Sequence, residues 1–149
     1  MKNEIYKMAW FDSVIKGYIE EAVQLNKHNK SCHVALLMQG KRKVVSYGFN
    51  QMDRQCFRGK SIFSLHAEVD CLRKCRPIKD IMKKNYSLVV VKVGKNDNRT
   101  YYDSMPCEYC TKFLIGLGFK NVYCSNKQGN IVKIDLSIYV PYNSYAQTI

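Results

Sequence analysis

Apolar positions along this chain change their period several times, and each change marks an element. Phe11, Val14, Ile15, Tyr18, Ile19, Ala22 and Val23 recur at helical spacing, with Lys16, Glu20, Glu21 and Lys27 between them. That pattern predicts an amphipathic helix over about residues 11–27. Two apolar, β-branched runs follow, 32–38 and 44–49, joined by Gln39-Gly40-Lys41-Arg42-Lys43, which reads as a hairpin. A polar loop covers 50–64. From Ala67, the positions Val69, Leu72 and Cys75 suit a helix that stops before Pro77. Residues 87–93, with Leu88-Val89-Val90-Val91 at their centre, form an unbroken apolar run, as expected of a strand covered on both faces. A second polar loop, 94–103, precedes Cys110, Phe113, Leu114 and Leu117, a helix closed by Gly116 and Gly118. Residues 121–124 and 131–136 read as two more strands about a Ser125–Asn130 turn, antiparallel and with no helix between them. The order predicts a single α/β domain, one mixed sheet of about five strands flanked by helices in three layers. Its core spans about 11–136, and a tail, 137–149, carries Tyr139, Tyr142 and Tyr145.

Composition narrows the class. A chain of 149 residues with 46% hydrophobic and 24% charged residues forms a substantial core without disulfide staples. No apolar run approaches the ~20 residues of a membrane span. The N-terminus has an acidic residue and no apolar segment of a secretory signal, so a cytoplasmic location is expected. Seven cysteines, an odd number, argue against a disulfide framework, and Cys32 and Cys124 read as small buried apolar residues. The net charge of +12 is spread along the chain in short clusters, a field that attracts phosphates on a nucleotide or a polynucleotide. A lysine-rich solvated surface explains the same charge, so charge alone does not select a substrate.

Two motifs carry the chemistry: His66-Ala67-Glu68 and Pro106-Cys107-Glu108-Tyr109-Cys110. His66, Cys107 and Cys110 are zinc-ligand side chains, and Glu68 is a spare carboxylate. Three protein ligands leave a fourth tetrahedral position for water, whose pKa the cation lowers from ~15.7 towards ~7. Glu68 is then placed to move protons between that water, a ring nitrogen and a departing amine. Each motif falls at the start of a predicted helix, and cysteines three apart on a first turn share one face. One intervening strand allows a crossover that brings the two helix starts together. Helix N-termini also favour thiolates.

The pair of motifs has the H-x-E and P-C-x-x-C form of zinc deaminases. From residues 11 to 136 the chain resembles the zinc-dependent cytidine/deoxycytidylate deaminase superfamily in motif and element order. The resemblance implies a deaminase fold, one Zn2+ per chain, a cytosine nucleoside or nucleotide substrate of the pyrimidine-salvage kind, and a homo-oligomer. It also implies roles for residues. The Ala67 amide would bind the pyrimidine carbonyl, and the Met105 carbonyl would accept from the exocyclic amine. Asn50, in Gly48-Phe49-Asn50, matches the sugar-contacting asparagine, and Ser104 falls among the substrate-contacting positions. Free-cytidine deaminases usually have a glutamate soon after that asparagine, whereas this chain has Gln51-Met52-Asp53. Editing deaminases of polynucleotides usually carry an aromatic residue where Ser104 stands. Deoxycytidylate and tRNA adenosine deaminases usually insert a helix where this chain has the Gln128-Gly129-Asn130 turn, which favours the cytidine branch. The Ser104-Met105-Pro106-Cys107 wording points to a divergent member of viral or phage type.

Other readings stay open at this level. An editing deaminase acting on single-stranded DNA or RNA fits the charge. A zinc-stabilised binding module would need Cys71 or Cys124 as a fourth ligand, and gives Glu68 no role. A redox reading of the two motif cysteines leaves His66 and Pro106 unexplained. Arg54, Arg58 and Lys60 lie in the loop entering the site and are candidates for holding a phosphate, as are Lys95 and Arg99 in the second loop. Tyr101, Tyr102 and Tyr109 are candidates for the pocket rim or for packing. His28 and His33 have no metal-ligand spacing to any other residue and read as surface or satisfied core groups.

Overall fold

The sheet is built from the apolar runs of the sequence, in the computed structural model that describes residues 4–6, 9–25, 31–40, 43–50, 55–57, 60–62, 66–75, 86–94 and 101–141. Strand β2 (Ser31–Gln39) and β3 (Lys43–Phe49) form the expected hairpin, with Gly40 at φ 65° in the turn. β6 (Tyr86–Gly94) pairs antiparallel with the other side of β2, from Ser31 opposite Gly94 to Gln39 opposite Tyr86. β8 (Asn121–Ser125) joins β6 in parallel, and β9 (Ile131–Asp135) returns antiparallel to β8 with no intervening helix. The five expected strands are therefore present in one mixed sheet.

Two short strands extend it. β1 (Glu4–Tyr6) pairs with β9, and β7 (Tyr101–Tyr102) pairs with the end of β6, which gives the order β1-β9-β8-β6-β2-β3 with β7 beside β6. The 50–64 segment, expected to be a loop, also holds a separate antiparallel pair, β4 (Gln55–Phe57) and β5 (Lys60–Ile62). Strands this short carry too little alternation to stand out in the sequence.

Helices cover both faces. α1 (Ala9–Leu25) begins and ends two residues before its predicted bounds and buries Ile15, Ile19 and Ala22 against Val34, Leu36, Val89 and Val91. α2 (Ala67–Arg73) and α3 (Glu108–Gly116) share the opposite face, where Leu72, Cys110 and Leu114 pack on Ala35, Leu37, Leu88 and Val90. Alternate residues of β2 and β6 thus enter different cores, as the twofold period of a strand requires. Leu88–Val91 are all at most 4% exposed, the mark of a strand covered on both sides. Among the described residues no helix is long and apolar enough to cross a membrane.

One glycine sets how closely α2 approaches. A Cβ at Gly48 would land on the Cys71 backbone and 2.7 Å from the Ala67 carbonyl oxygen. Only a residue without Cβ lets β3 and the first turn of α2 meet at this separation. The start of α2, where His66 stands, is thereby seated against the end of β3.

Candidate active site

The crossover through β6 brings the starts of α2 and α3 together, as the spacing of the motifs predicts. His66 is the N-cap of α2 in extended conformation and makes no side-chain capping bond, so its imidazole stays available. Its Nδ1 lies 3.2 Å from Cys110 Sγ and 3.5 Å from Cys107 Sγ. Among the described residues these three form the group able to hold a metal ion, with all ligand atoms within 4.8 Å of one another. Tetrahedral zinc with its usual bond lengths to nitrogen and sulfur puts such atoms about 3.6 Å apart. The donor set therefore fits zinc in chemistry and in spacing.

α3 prepares the sulfurs. Cys107 is its N-cap, and the Cys110 amide donates to Cys107 Sγ at 3.5 Å. The Cys107 thiol is lowered to about 4: its partnership with Cys110 is the largest cause, burial opposes it, and the His66 bond and charge add to the lowering. The thiolate, the form that binds metal, is thus favoured by the chain itself. His66 is held above its ordinary value: burial acts downward and is the largest influence, but the Cys107 bond and the charges of Glu68 and Cys107 outweigh it.

Glu68 is 5% exposed and belongs to the first turn of α2. Burial raises its carboxyl above the usual range, while the His66 charge and a Cys110 side-chain bond act the other way. Burial of this kind makes a carboxyl hold a proton more readily than an exposed one does. Cys71 and Cys124 stand outside the metal group. Burial pushes the Cys71 thiol up to about 12 and Cys124 well up, which marks both as inert core residues.

The turn before Cys107 is held from several sides. The Ser104 hydroxyl donates to Val90 O (2.8 Å) and accepts from Ser125 N (3.0 Å), and Ser125 Oγ also donates to Tyr102 O (2.6 Å). Ser104 is 3% exposed, so its hydroxyl sits at a buried junction of β6, β8 and the incoming loop. The Met105 amide donates to Asp103 Oδ1 (3.0 Å), which fixes the plane of the peptide next to the Met105 carbonyl. From the C-terminal segment, the Tyr139 hydroxyl donates to the Pro106 carbonyl at 2.7 Å.

Asn50 follows β3 directly. Its Oδ1 accepts from the His33 amide (2.9 Å), and its own amide donates to His33 O (3.3 Å). Behind it, the fully buried Asp70 accepts from the Phe49 amide (3.0 Å) and from Arg73 Nε (2.9 Å), with Lys74 Nζ at 3.2 Å. Sequence reasoning passed over Asp70; its signal was a carboxylate within the apolar run of a short helix. Ala67 is completely buried, with its carbonyl against Gly48. Arg54 and Arg58 lie outside the described residues, as do Lys95 and Arg99, and Lys60 is described only as part of β5.

Two sulfurs and an imidazole around one point, with a buried carboxyl beside them that is not part of the ligand group, leave hydrolysis by a zinc enzyme as the fitting chemistry. The model of one family, described as the cytidine and deoxycytidylate deaminase zinc-binding region, matches residues 8–126, and the chain belongs to that family. Its class is that of the zinc-dependent hydrolytic deaminases. No curated protein matches the sequence significantly. A solved structure, the dCMP deaminase from the cyanophage S-TIM5 in complex with dCMP and dUMP, is similar at 19% identity and a TM-score of 0.46, over 82% of this chain and 85% of that chain.

Proposed function

We propose that this protein converts a cytosine nucleoside or nucleotide to its uracil counterpart with release of ammonia, and that His66, Cys107 and Cys110 hold the zinc. The observation that carries this is Glu68, a carboxyl buried beside the ligand cluster yet outside it. Zinc supplies Lewis-acid activation of the attacking water. Glu68 takes one proton from that water and delivers it to ring N3, then takes the second from the hydroxyl left on the ring carbon and gives it to the amine; the C–N bond breaks, the oxygen stays as the new carbonyl and ammonia departs. The Ala67 amide orients the base through its carbonyl, the Met105 carbonyl accepts from the exocyclic amine, and Asn50 meets the sugar. The fixed Met105 turn and the close seating of α2 on Gly48 support these roles, because both hold backbone groups without mobile side chains.

Glu68→Gln tests the mechanism. Uracil product should fall by at least a hundredfold while bound zinc stays at one per chain by elemental analysis. Undiminished turnover in that variant would remove Glu68 from the chemistry. A second reading, deamination within single-stranded nucleic acid, is favoured by the net charge of +12. It requires oligonucleotide binding that weakens steeply with salt, and conversion of a cytosine-containing oligonucleotide where free cytosine compounds fail.

A further inference from the structure

We propose that Asn50, His33, Lys92 and Tyr102 form one platform for a sugar and its phosphate beside the metal ligands, with Lys92 as the cation that meets the phosphate. The inference rests on the reading of the site as a cytosine nucleoside or nucleotide deaminase. Strand register carries it. His33 stands opposite Lys92 across β2 and β6, and Lys92 stands opposite Tyr102 across β6 and β7. Val34 pairs with Phe49, so the next position sets His33 beside Asn50, and the two bonds between them hold that step. Directly opposed residues share a face of the sheet. The four side chains therefore make a row across four neighbouring strands.

The row lies on the sheet face that carries His66, Cys107 and Cys110. Its neighbours along each strand, Val34, Phe49, Val91, Val93 and Tyr101, all enter the core under α1. Alternation sends the row to the other face, where α2 and α3 bring His66, Cys107 and Cys110. Its level along the sheet fits as well. On β3, Ser46 bonds the Cys71 carbonyl and Gly48 abuts Ala67, so Asn50 lies towards the His66 end of α2. On β6, Val90 receives the Ser104 hydroxyl just before the metal-ligand turn, and Lys92 is the next residue on that face.

The chemistry of the row is graded. A backbone amide occupies Asn50 Oδ1, so the side chain presents its NH2 as donor. Burial first, and then the charges of Lys92 and His66, push the His33 imidazole down to about 3. It is neutral at working pH and offers one donor and one acceptor, as a sugar hydroxyl requires. Lys92 is half-buried and contributes the amino group of the row, and Tyr102, 41% exposed, closes it with a phenol at the rim. Strands lie ~4.8 Å apart, so Asn50 and Lys92 are roughly 10 Å apart, with room for a sugar at one end and a phosphate at the other.

Binding of products tests this without turnover. Affinities of the zinc-loaded full chain for uridine, its 5′-monophosphate, the deoxy pair and a short deoxyuridine oligonucleotide would be measured by calorimetry, in wild type, Lys92→Gln and Lys92→Arg. The wild type should prefer the monophosphate to the nucleoside, and this ratio should fall roughly ten- to a hundredfold in Lys92→Gln and largely return in Lys92→Arg. A stronger effect on the mononucleotide identifies a free nucleotide as the phosphate source, and a stronger effect on the oligonucleotide identifies a polynucleotide. An unchanged ratio in Lys92→Gln overturns the proposal, as does a wild type with no preference for phosphate. If Lys92→Gln does not fold, the wild-type preference must fade with rising ionic strength, and a salt-independent preference is equally fatal. Absence of ammonia release from every cytosine compound would sink the deaminase reading alone and leave this binding ratio intact.

Discussion

Removing the Asp70 carboxylate should unfasten the end of β3 from α2. Asp70 has no exposed surface, and its Oδ2 is the partner of the Phe49 amide at 3.0 Å. In Asp70→Ala that amide is left buried without this acceptor, which costs about 1–3 kcal/mol. Arg73 and Lys74 lose their ion pairs, but their side chains are 28% and 44% exposed and rehydrate, so that part amounts to no more than about 1 kcal/mol. The sum is about 1–4 kcal/mol, which for a chain of this length lowers the melting temperature by about 2–16 °C. Asp70→Asn keeps an oxygen able to accept from Phe49 and should lose about half as much. The assay is a thermal melt of zinc-loaded protein by circular dichroism, paired with KM for the preferred substrate. KM should rise more than kcat falls, because Asn50 immediately follows Phe49 on the released strand end whereas Glu68 stays in the backbone-bonded α2. A loss below about 1 kcal/mol in Asp70→Ala, or equal losses in the two variants, would refute this account of the carboxylate.

Two further outcomes follow from the same geometry. Tyr139→Phe deletes the bond to the Pro106 carbonyl, worth about 1 kcal/mol, and should speed zinc loss to a chelator severalfold while the fold is retained; an unchanged rate would show that the turn holds without it. His33 has a folded pKa of about 3 against an ordinary 6.5, so the unfolded chain binds the extra proton between these values. Its contribution is complete above about 6.5 and is lost as pH falls towards 3, so His33→Gln should flatten the decline of melting temperature below pH 6.5 relative to wild type.

Much of the architecture was legible because long elements repeat their period. The α1 stripe, the β2–β3 hairpin and the unbroken Leu88–Val91 run each carry several consistent positions, and packing follows them. The grouping of His66, Cys107 and Cys110 was legible for a different reason: the spacing of the two cysteines is imposed by helix geometry at the start of α3. β1, β4, β5 and β7 escaped notice, since two or three residues cannot display a period. The polar row was hidden for a topological reason. Asn50, His33, Lys92 and Tyr102 are far apart in sequence, and only the register of three antiparallel pairings aligns them. Asp70 and Tyr139 likewise gain their meaning from partners on other elements.

The most direct test of the central claim is product analysis on zinc-loaded protein incubated with cytosine, cytidine, deoxycytidine, CMP, dCMP and a cytosine-containing oligonucleotide. The account predicts stoichiometric ammonia and the matching uracil product from at least one cytosine nucleoside or nucleotide, lost on removal of zinc and restored by its return. Protein that holds one zinc per chain and converts none of them would contradict it.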